Sequence, residues 1–116
     1  MAHPTRIMYI ESKGDDGLVG PARIGRVTYS KSGKSVYYRG RRFTTLGGTG
    51  FKANYFEVES REYFWISGPR KDGRDALYST SVEVDEDVRY EYWVTIRNRP
   101  ELKQLSSFKC PGKYST

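Results

Sequence analysis

The stretch IGRVTYSKSGKSVYYRGRRF, Ile24–Phe43, carries the pattern that decides the fold. From Ile24 to Ser30 the residues alternate, with Gly25, Val27 and Tyr29 on one face and Arg26, Thr28 and Ser30 on the other. A period of two is that of a half-buried strand. Lys31-Ser32-Gly33 follows as a short hairpin loop, in which Gly33 is able to take positive φ. The return strand is predicted over Ser35–Leu46. It places Val36 and Tyr38 on one face and Tyr37, Arg39, Arg41 and Phe43 on the other, with Arg42 at the opposite parity. Gly40 interrupts it, and a glycine inside a strand marks a bulge or a sharp bend.

Upstream, Arg6–Glu11 (RIMYIE) is β-branched and aromatic on both faces, as a central strand is. Ser12–Pro21 is glycine- and aspartate-rich and reads as a loop. Downstream, Gly47–Gly50 is a turn, Phe51–Val58 and Glu62–Ser67 (EYFWIS) are strands, and Gly68–Asp75 (GPRKDGRD) is a polar loop with a turn at Asp72-Gly73. Ala76–Tyr78 and Ser81–Val84 are short extended pieces. A helix is predicted over residues 85–98. Asp85 is its N-cap, and Glu86 and Asp87 sit where the helix dipole favours negative charge. At about 100° per residue, Val88, Tyr92, Trp93 and Ile96 form one stripe that also contains Arg89. Pro100 bounds the helix, and Leu102, Leu105 and Phe108 form a short second one. The fold class is α+β and β-dominated: a bent antiparallel sheet or small barrel of five to six strands, with the C-terminal helix plugging one end or covering one face. Residues 1–108 form a single domain and 109–116 a flexible tail. The expected core is Ile7, Val27, Tyr29, Val36, Tyr38, Phe56, Trp65, Ile66, Val88, Tyr92 and Ile96.

A chain of 116 residues builds one modest core. Its ten Tyr, five Phe and two Trp supply much apolar area, which argues against disorder. The net charge of +6 is uneven. Residues 1–60 hold ten basic and five acidic residues, and residues 61–116 hold ten and nine. Eight basic residues and no acid lie between Pro21 and Lys52, whereas Glu83–Glu91 is acidic. Cys110 is the only cysteine, so no intramolecular disulfide forms. No apolar run approaches a membrane span, and the N-terminus lacks the features of a signal peptide. The expected compartment is the reducing cytoplasm.

Such a basic, aromatic-bearing tract favours polyanions, either nucleic acid or an acidic protein surface. The candidate binding residues are Arg26, Tyr37, Arg39, Arg41, Arg42 and Phe43. Arginine contacts phosphate through paired donors, and tyrosine rings stack on bases. The competing expectation pairs these arginines with Glu83, Asp85, Glu86 and Asp87, so that they dock the helix. A second candidate site is the loop after the EYFWIS strand, with Trp65, Arg70, Asp72, Arg74 and Asp75, which would suit a small enzyme or a small-molecule binder. Turn-capping aspartates and surface ion pairs account for the same loop. A protein-only accessory role is a third reading. Gly33-Lys34-Ser35 is no phosphate-binding loop, because Thr28 stands where its first glycine belongs and a strand follows. His3 and Cys110 provide two zinc ligands where a closed site needs four. No catalytic residue, metal or cofactor is assigned.

The stretches PARIGRVTYSKSGKSVYYRGRRF (Pro21–Phe43), FKANYFEVE (Phe51–Glu59), YFWISGPRKDGRDALY (Tyr63–Tyr78) and DEDVRYEYW (Asp85–Trp93) resemble a family of short uncharacterised bacterial proteins, some of which carry the name of a deoxyxylulose-phosphate synthase. A thiamine-diphosphate enzyme needs several large domains and a diphosphate-and-metal site. A chain of 116 residues without a G-D-G plus N-N signature does not supply them, and Gly14-Asp15-Asp16-Gly17 is no substitute. The resemblance implies a stable folding unit and transfers no functional residue.

Overall fold

A computed structural model describes residues 4–14, 22–46, 53–76 and 80–111. His3, most of the predicted Ser12–Pro21 loop, the Gly47–Gly50 turn with Phe51 and Lys52, Leu77 and Tyr78, and the end of the tail lie outside the described residues. Eight strands follow in chain order: β1 Thr5–Gly14, β2 Ala22–Tyr29, β3 Ser35–Tyr38, β4 Arg41–Thr45, β5 Tyr55–Glu57, β6 Tyr63–Ser67, β7 Thr80–Val84 and β8 Ser107–Cys110. The first six close into an antiparallel barrel. Each of β2 to β6 pairs with its sequence neighbour, and β1 pairs with both β2 and β6. Two further strands extend the sheet, with β7 parallel to β2 and β8 antiparallel to β7. The sheet is therefore mixed rather than wholly antiparallel.

β1 is buried on both faces, as its sequence requires. Met8 and Ile10 fill the barrel with Val27, Val36, Tyr38, Phe43, Phe64 and Ile66. Ile7 and Tyr9 face a second core outside the barrel, with Ile24, Val84, Val88, Tyr92 and Trp93. The helical segment thus covers a barrel face instead of plugging an end. Of the expected core, Tyr29, Phe56, Trp65 and Ile96 are only half-buried, while Tyr9, Phe43 and Trp93 are completely buried.

β2 serves two partner strands with one edge. Thr28 and Tyr29 pair with β3, whereas Ala22, Arg23 and Ile24 pair with β7. Gly25 sits where the partner changes. A Cβ there would lie 2.5 Å from both Asp85 Oδ2 and Tyr38 Cε1. Only a residue without a side chain lets β3 and the end of β7 meet over β2.

The predicted single strand Ser35–Leu46 is two strands. Arg39 has φ 52° and Gly40 φ 76°, so Tyr38-Arg39-Gly40-Arg41 is a two-residue hairpin turn of the primed type, not a bulge. The turn inverts the parity expected of a continuous strand. Val36 pairs with Phe43 and Tyr38 with Arg41, so odd-numbered residues of β4 share the inward face of even-numbered residues of β3. Phe43, expected on the basic outer face, is therefore completely buried in the barrel.

The expected 85–98 helix is irregular. It begins at Glu86 as a 3₁₀ turn, Glu86–Val88, and continues as a π-helical stretch, Glu91–Ile96, closed by the Arg97 N–H donating to the Tyr92 carbonyl at 2.9 Å. Aromatic and β-branched residues at 92–96 disfavour a tight α-turn. The wider turn buries the adjacent Tyr92 and Trp93 together. Asp85 does not cap it through its side chain. The second helix is a single 3₁₀ turn, Pro100–Leu102, and Phe108 belongs to β8. Lys109 and Cys110, placed in the tail from sequence, are part of β8, and the buried Cys110 thiol donates to the Gly73 carbonyl at 3.1 Å.

Gly25→Ala is expected to destabilise the fold by about 1–3 kcal/mol, the usual cost of overpacking, and Trp93→Ala by about 3–5 kcal/mol. Urea unfolding of the two variants measures both. A neutral Gly25→Ala would mean that the β3–β7 junction over β2 is loose.

Candidate functional site

The basic tract divides into arginines that are ion-paired with acids of the chain and cations that have no acidic partner among the described residues. Asp85, 5% exposed, accepts from the Tyr38 hydroxyl at 2.5 Å, from Arg23 at 2.8 Å and from Arg39 at 3.3 Å. Arg23 also reaches Glu83 at 2.7 Å, and Arg26 reaches Glu91 at 2.9 Å. Burial and the hydrogen bond to Asp85 push the Tyr38 phenol well above its ordinary range. Arg41, directed inward by the hairpin, bonds the buried Glu57 at 2.5 Å and lies 5.3 Å from the Phe64 ring and 5.6 Å from the Phe43 ring. The Ser60 hydroxyl also donates to Glu57, at 2.6 Å. The Arg41 and Ser60 bonds hold the Glu57 carboxyl down to about 2.

Of the arginines predicted to form the binding face, Arg26, Arg39 and Arg41 thus hold acidic partners. Arg42 does not. Its Nε and Nη2 each lie 3.4 Å from Ser35 Oγ, and it has no acidic partner among the described residues. The register brings residues from distant parts of the chain beside it. Tyr37 pairs with Arg42, and the Val58 N–H donates to the Arg42 carbonyl. The next row on the same outward face is Ser35, Thr44, Phe56 and Tyr63. Arg42, Thr44, Phe56, Val58 and Arg61 line a shallow depression of about 330 Å³. Tyr37 is 42% and Tyr63 47% exposed. Arg61 occupies a left-handed turn position, φ 65°, and its N–H donates to the Glu57 carbonyl. Its guanidinium, like that of Arg42, has no acidic partner among the described residues.

Phe56, Val58, Arg61 and Tyr63 were absent from the sequence-predicted site. EYFWIS is predicted as a strand, and it contains Tyr63. Only the strand order puts Tyr63 beside Phe56 and, two strands further on, beside β4.

The second candidate site is a self-capped loop. Arg70 holds Asp72 through two bonds of 3.0 Å, Asp72 accepts the Arg74 N–H, and Asp75 accepts the Arg70 N–H at 2.7 Å. These contacts hold the exposed Asp72 down to about 2, led by the Arg70 bond. Trp65 turns to the outer core, with its indole N–H on Ser67. Asp75 differs from Asp72. Burial pushes its carboxyl up to about 6, against the opposing pull of the Arg70 N–H and Arg97, and its Oδ2 has no hydrogen-bond partner among the described residues. The nearby Arg97 guanidinium donates to the Tyr92 hydroxyl at 2.9 Å and lies 5.0 to 5.7 Å from the Tyr92, Trp93 and Phe108 rings. Arg97 therefore packs as part of the core under this loop.

No group of three or more His, Cys, Asp or Glu side chains among the described residues is placed to hold a metal. No helix among them is long and apolar enough to cross a membrane. Comparison with protein-family models, with curated proteins and with solved structures gives no match.

Committed and uncommitted charges are expected to respond oppositely to removal. Asp85→Ala leaves the buried Tyr38 hydroxyl without its acceptor and removes the acid that Arg23 and Arg39 share, and should cost about 1–3 kcal/mol, whereas Arg42→Ala and Arg61→Ala should stay within about 0.5 kcal/mol. Chemical denaturation distinguishes them.

Asp75 gives a pH signature of known sign. Its folded value, about 6, lies above its ordinary 3.8. Ionising it opposes folding, so its unfavourable contribution is absent at low pH and grows as pH rises from about 4 to about 6. Relative to the wild type, Asp75→Asn is expected to gain thermal stability across that window and to level off above it. A melting-temperature difference that is flat between pH 3.5 and 7 would contradict the burial of this carboxylate.

Proposed function

We propose that this protein is a non-enzymatic binding module that holds a polyanion on the outer face of its barrel, with Arg42 and Arg61 as the principal charged contacts. One observation carries the reading. These two arginines share an exposed face with Tyr37, Phe56 and Tyr63 and lack acidic partners among the described residues, while Arg23, Arg26, Arg39 and Arg41 are held by acids of the same chain. A guanidinium with no acidic partner keeps its charge unneutralised for phosphate or carboxylate, and the two 3.4 Å contacts of Arg42 to Ser35 Oγ are long ones. The net charge of +6 favours anionic partners in the same direction. Lys34, exposed at the start of β3, adds charge at the edge of the face.

The loop site supports catalysis less well. Asp72 is held by Arg70 and the Arg74 N–H, which makes it a weak base. A cytoplasmic setting accords with the single buried thiol of Cys110.

The test is a titration with a labelled oligonucleotide across a salt series. Each neutralised phosphate releases counterions, so the affinity should fall steadily with salt. The Arg42→Ala/Arg61→Ala double variant is expected to reduce the slope by up to about 2. The charge-matched control Lys103→Ala/Lys109→Ala, exposed elsewhere on the molecule, should leave it nearly unchanged. Equal losses in both double variants would show non-specific attraction by net charge and remove the site.

A further inference from the structure

We infer that the polyanion held on this face is single-stranded nucleic acid, gripped by stacking of unpaired bases on Tyr37, Phe56 and Tyr63 as well as by its phosphates. The inference rests on the polyanion reading above and narrows its ligand. Three observations carry it. First, the face is more aromatic than charge capture alone requires. Tyr37 lies directly across from Arg42, Phe56 lies directly across from Tyr63, and both tyrosines are more than two-fifths exposed. The tyrosine hydroxyls are able to donate to phosphate, but the ring faces and Phe56 contribute nothing to holding it. The rings do offer π-faces to bases, whatever the sequence of the strand.

Second, the spacing suits consecutive bases. Tyr37 stands on β3 and Tyr63 on β6, three strands apart, with Phe56 on β5 between them. At about 4.8 Å per strand this spans about 14 Å of surface, room for two or three splayed bases. The backbone of such a strand would run past the depression between Arg42 and Arg61.

Third, the shape disfavours a duplex. The outer wall of a closed barrel is convex, and in a duplex the base faces are stacked on one another. A duplex would press sugars and phosphates against the three rings and offer them nothing to stack on. An acidic peptide would engage the arginines but leave the rings equally unused. Glu59 and Glu62, exposed in the same stretch of chain, are not ion-paired with Arg42 or Arg61.

The test compares a fluorescein-labelled oligothymidylate of ten nucleotides, a duplex of mixed sequence and a polyglutamate peptide by anisotropy. The wild type is expected to bind the single strand at least tenfold more tightly than the duplex, with a modest salt slope near 0.7 per phosphate contact. Tyr37→Ala/Tyr63→Ala should lose roughly tenfold or more in single-strand affinity while keeping that slope. Tyr37→Phe/Tyr63→Phe should restore most of the loss, and thermal unfolding of each variant verifies that the fold is intact. Arg42→Ala/Arg61→Ala should lower the slope instead. Equal affinity for single strand and duplex, with neutral tyrosine variants, would overturn the stacking inference and leave the polyanion reading standing. Preference for polyglutamate over both nucleic acids would overturn the inference in favour of an acidic protein partner. Failure of all three ligands to bind at low salt would overturn both readings.

Discussion

The buried carboxylate of Asp85 joins the two parts of this molecule. It ends β7, its N–H donates to the Ile24 carbonyl of β2, and its side chain takes bonds from Tyr38, Arg23 and Arg39. A carboxylate removed from water costs several kcal/mol unless its lone pairs are satisfied. The hydroxyl and the two guanidinium groups do that here. They also dictate the local geometry: the β3–β4 turn, β2 and the end of β7 must converge on one atom group. Gly25 leaves the room for this convergence. The helical segment leaves from this fixed point, which sets Val88, Tyr92 and Trp93 over the outer face of β1. A side chain so engaged cannot also cap the helix that follows it.

The same convergence disposes of most of the basic tract. The acids that answer its arginines come from β5, from β7 and from the helical segment, in parts of the chain far away in sequence. Charge in the tract is therefore largely ion-paired within the chain, and the docking expectation holds for Arg39, which meets Asp85. It does not describe Arg26, which pairs with Glu91, Arg41, which pairs with Glu57, or Arg42. The primed turn at Arg39-Gly40 sends Arg41 inward to Glu57 and Arg42 outward beside Tyr37. Two adjacent arginines with the same chemistry thus have different fates because a hairpin places successive residues on opposite faces of a closed wall.

What the sequence by itself determined was local. Period-two alternation placed β2, the aromatic run EYFWIS placed β6, the two-faced hydrophobicity of RIMYIE marked β1 as buried on both sides, and the acids after Val84 located the start of the helical segment to within a residue. A bent sheet or small barrel was legible in the order of the elements, a run of short strands followed by a single helix. Tertiary structure decided everything that depended on pairing. The parity of β4 turned on whether Gly40 was a bulge or half of a two-residue turn, and both are consistent with a glycine in a run of strand formers. The partners of the arginines depended on which acids the strand order brought near. Phe56, Val58, Arg61 and Tyr63 joined Tyr37 and Arg42 only when β3 to β6 lay side by side. The bonds that form strands run along the chain's own pattern, whereas the neighbours that make a surface are set by the closure of the sheet, a long-range constraint that local periodicity does not contain.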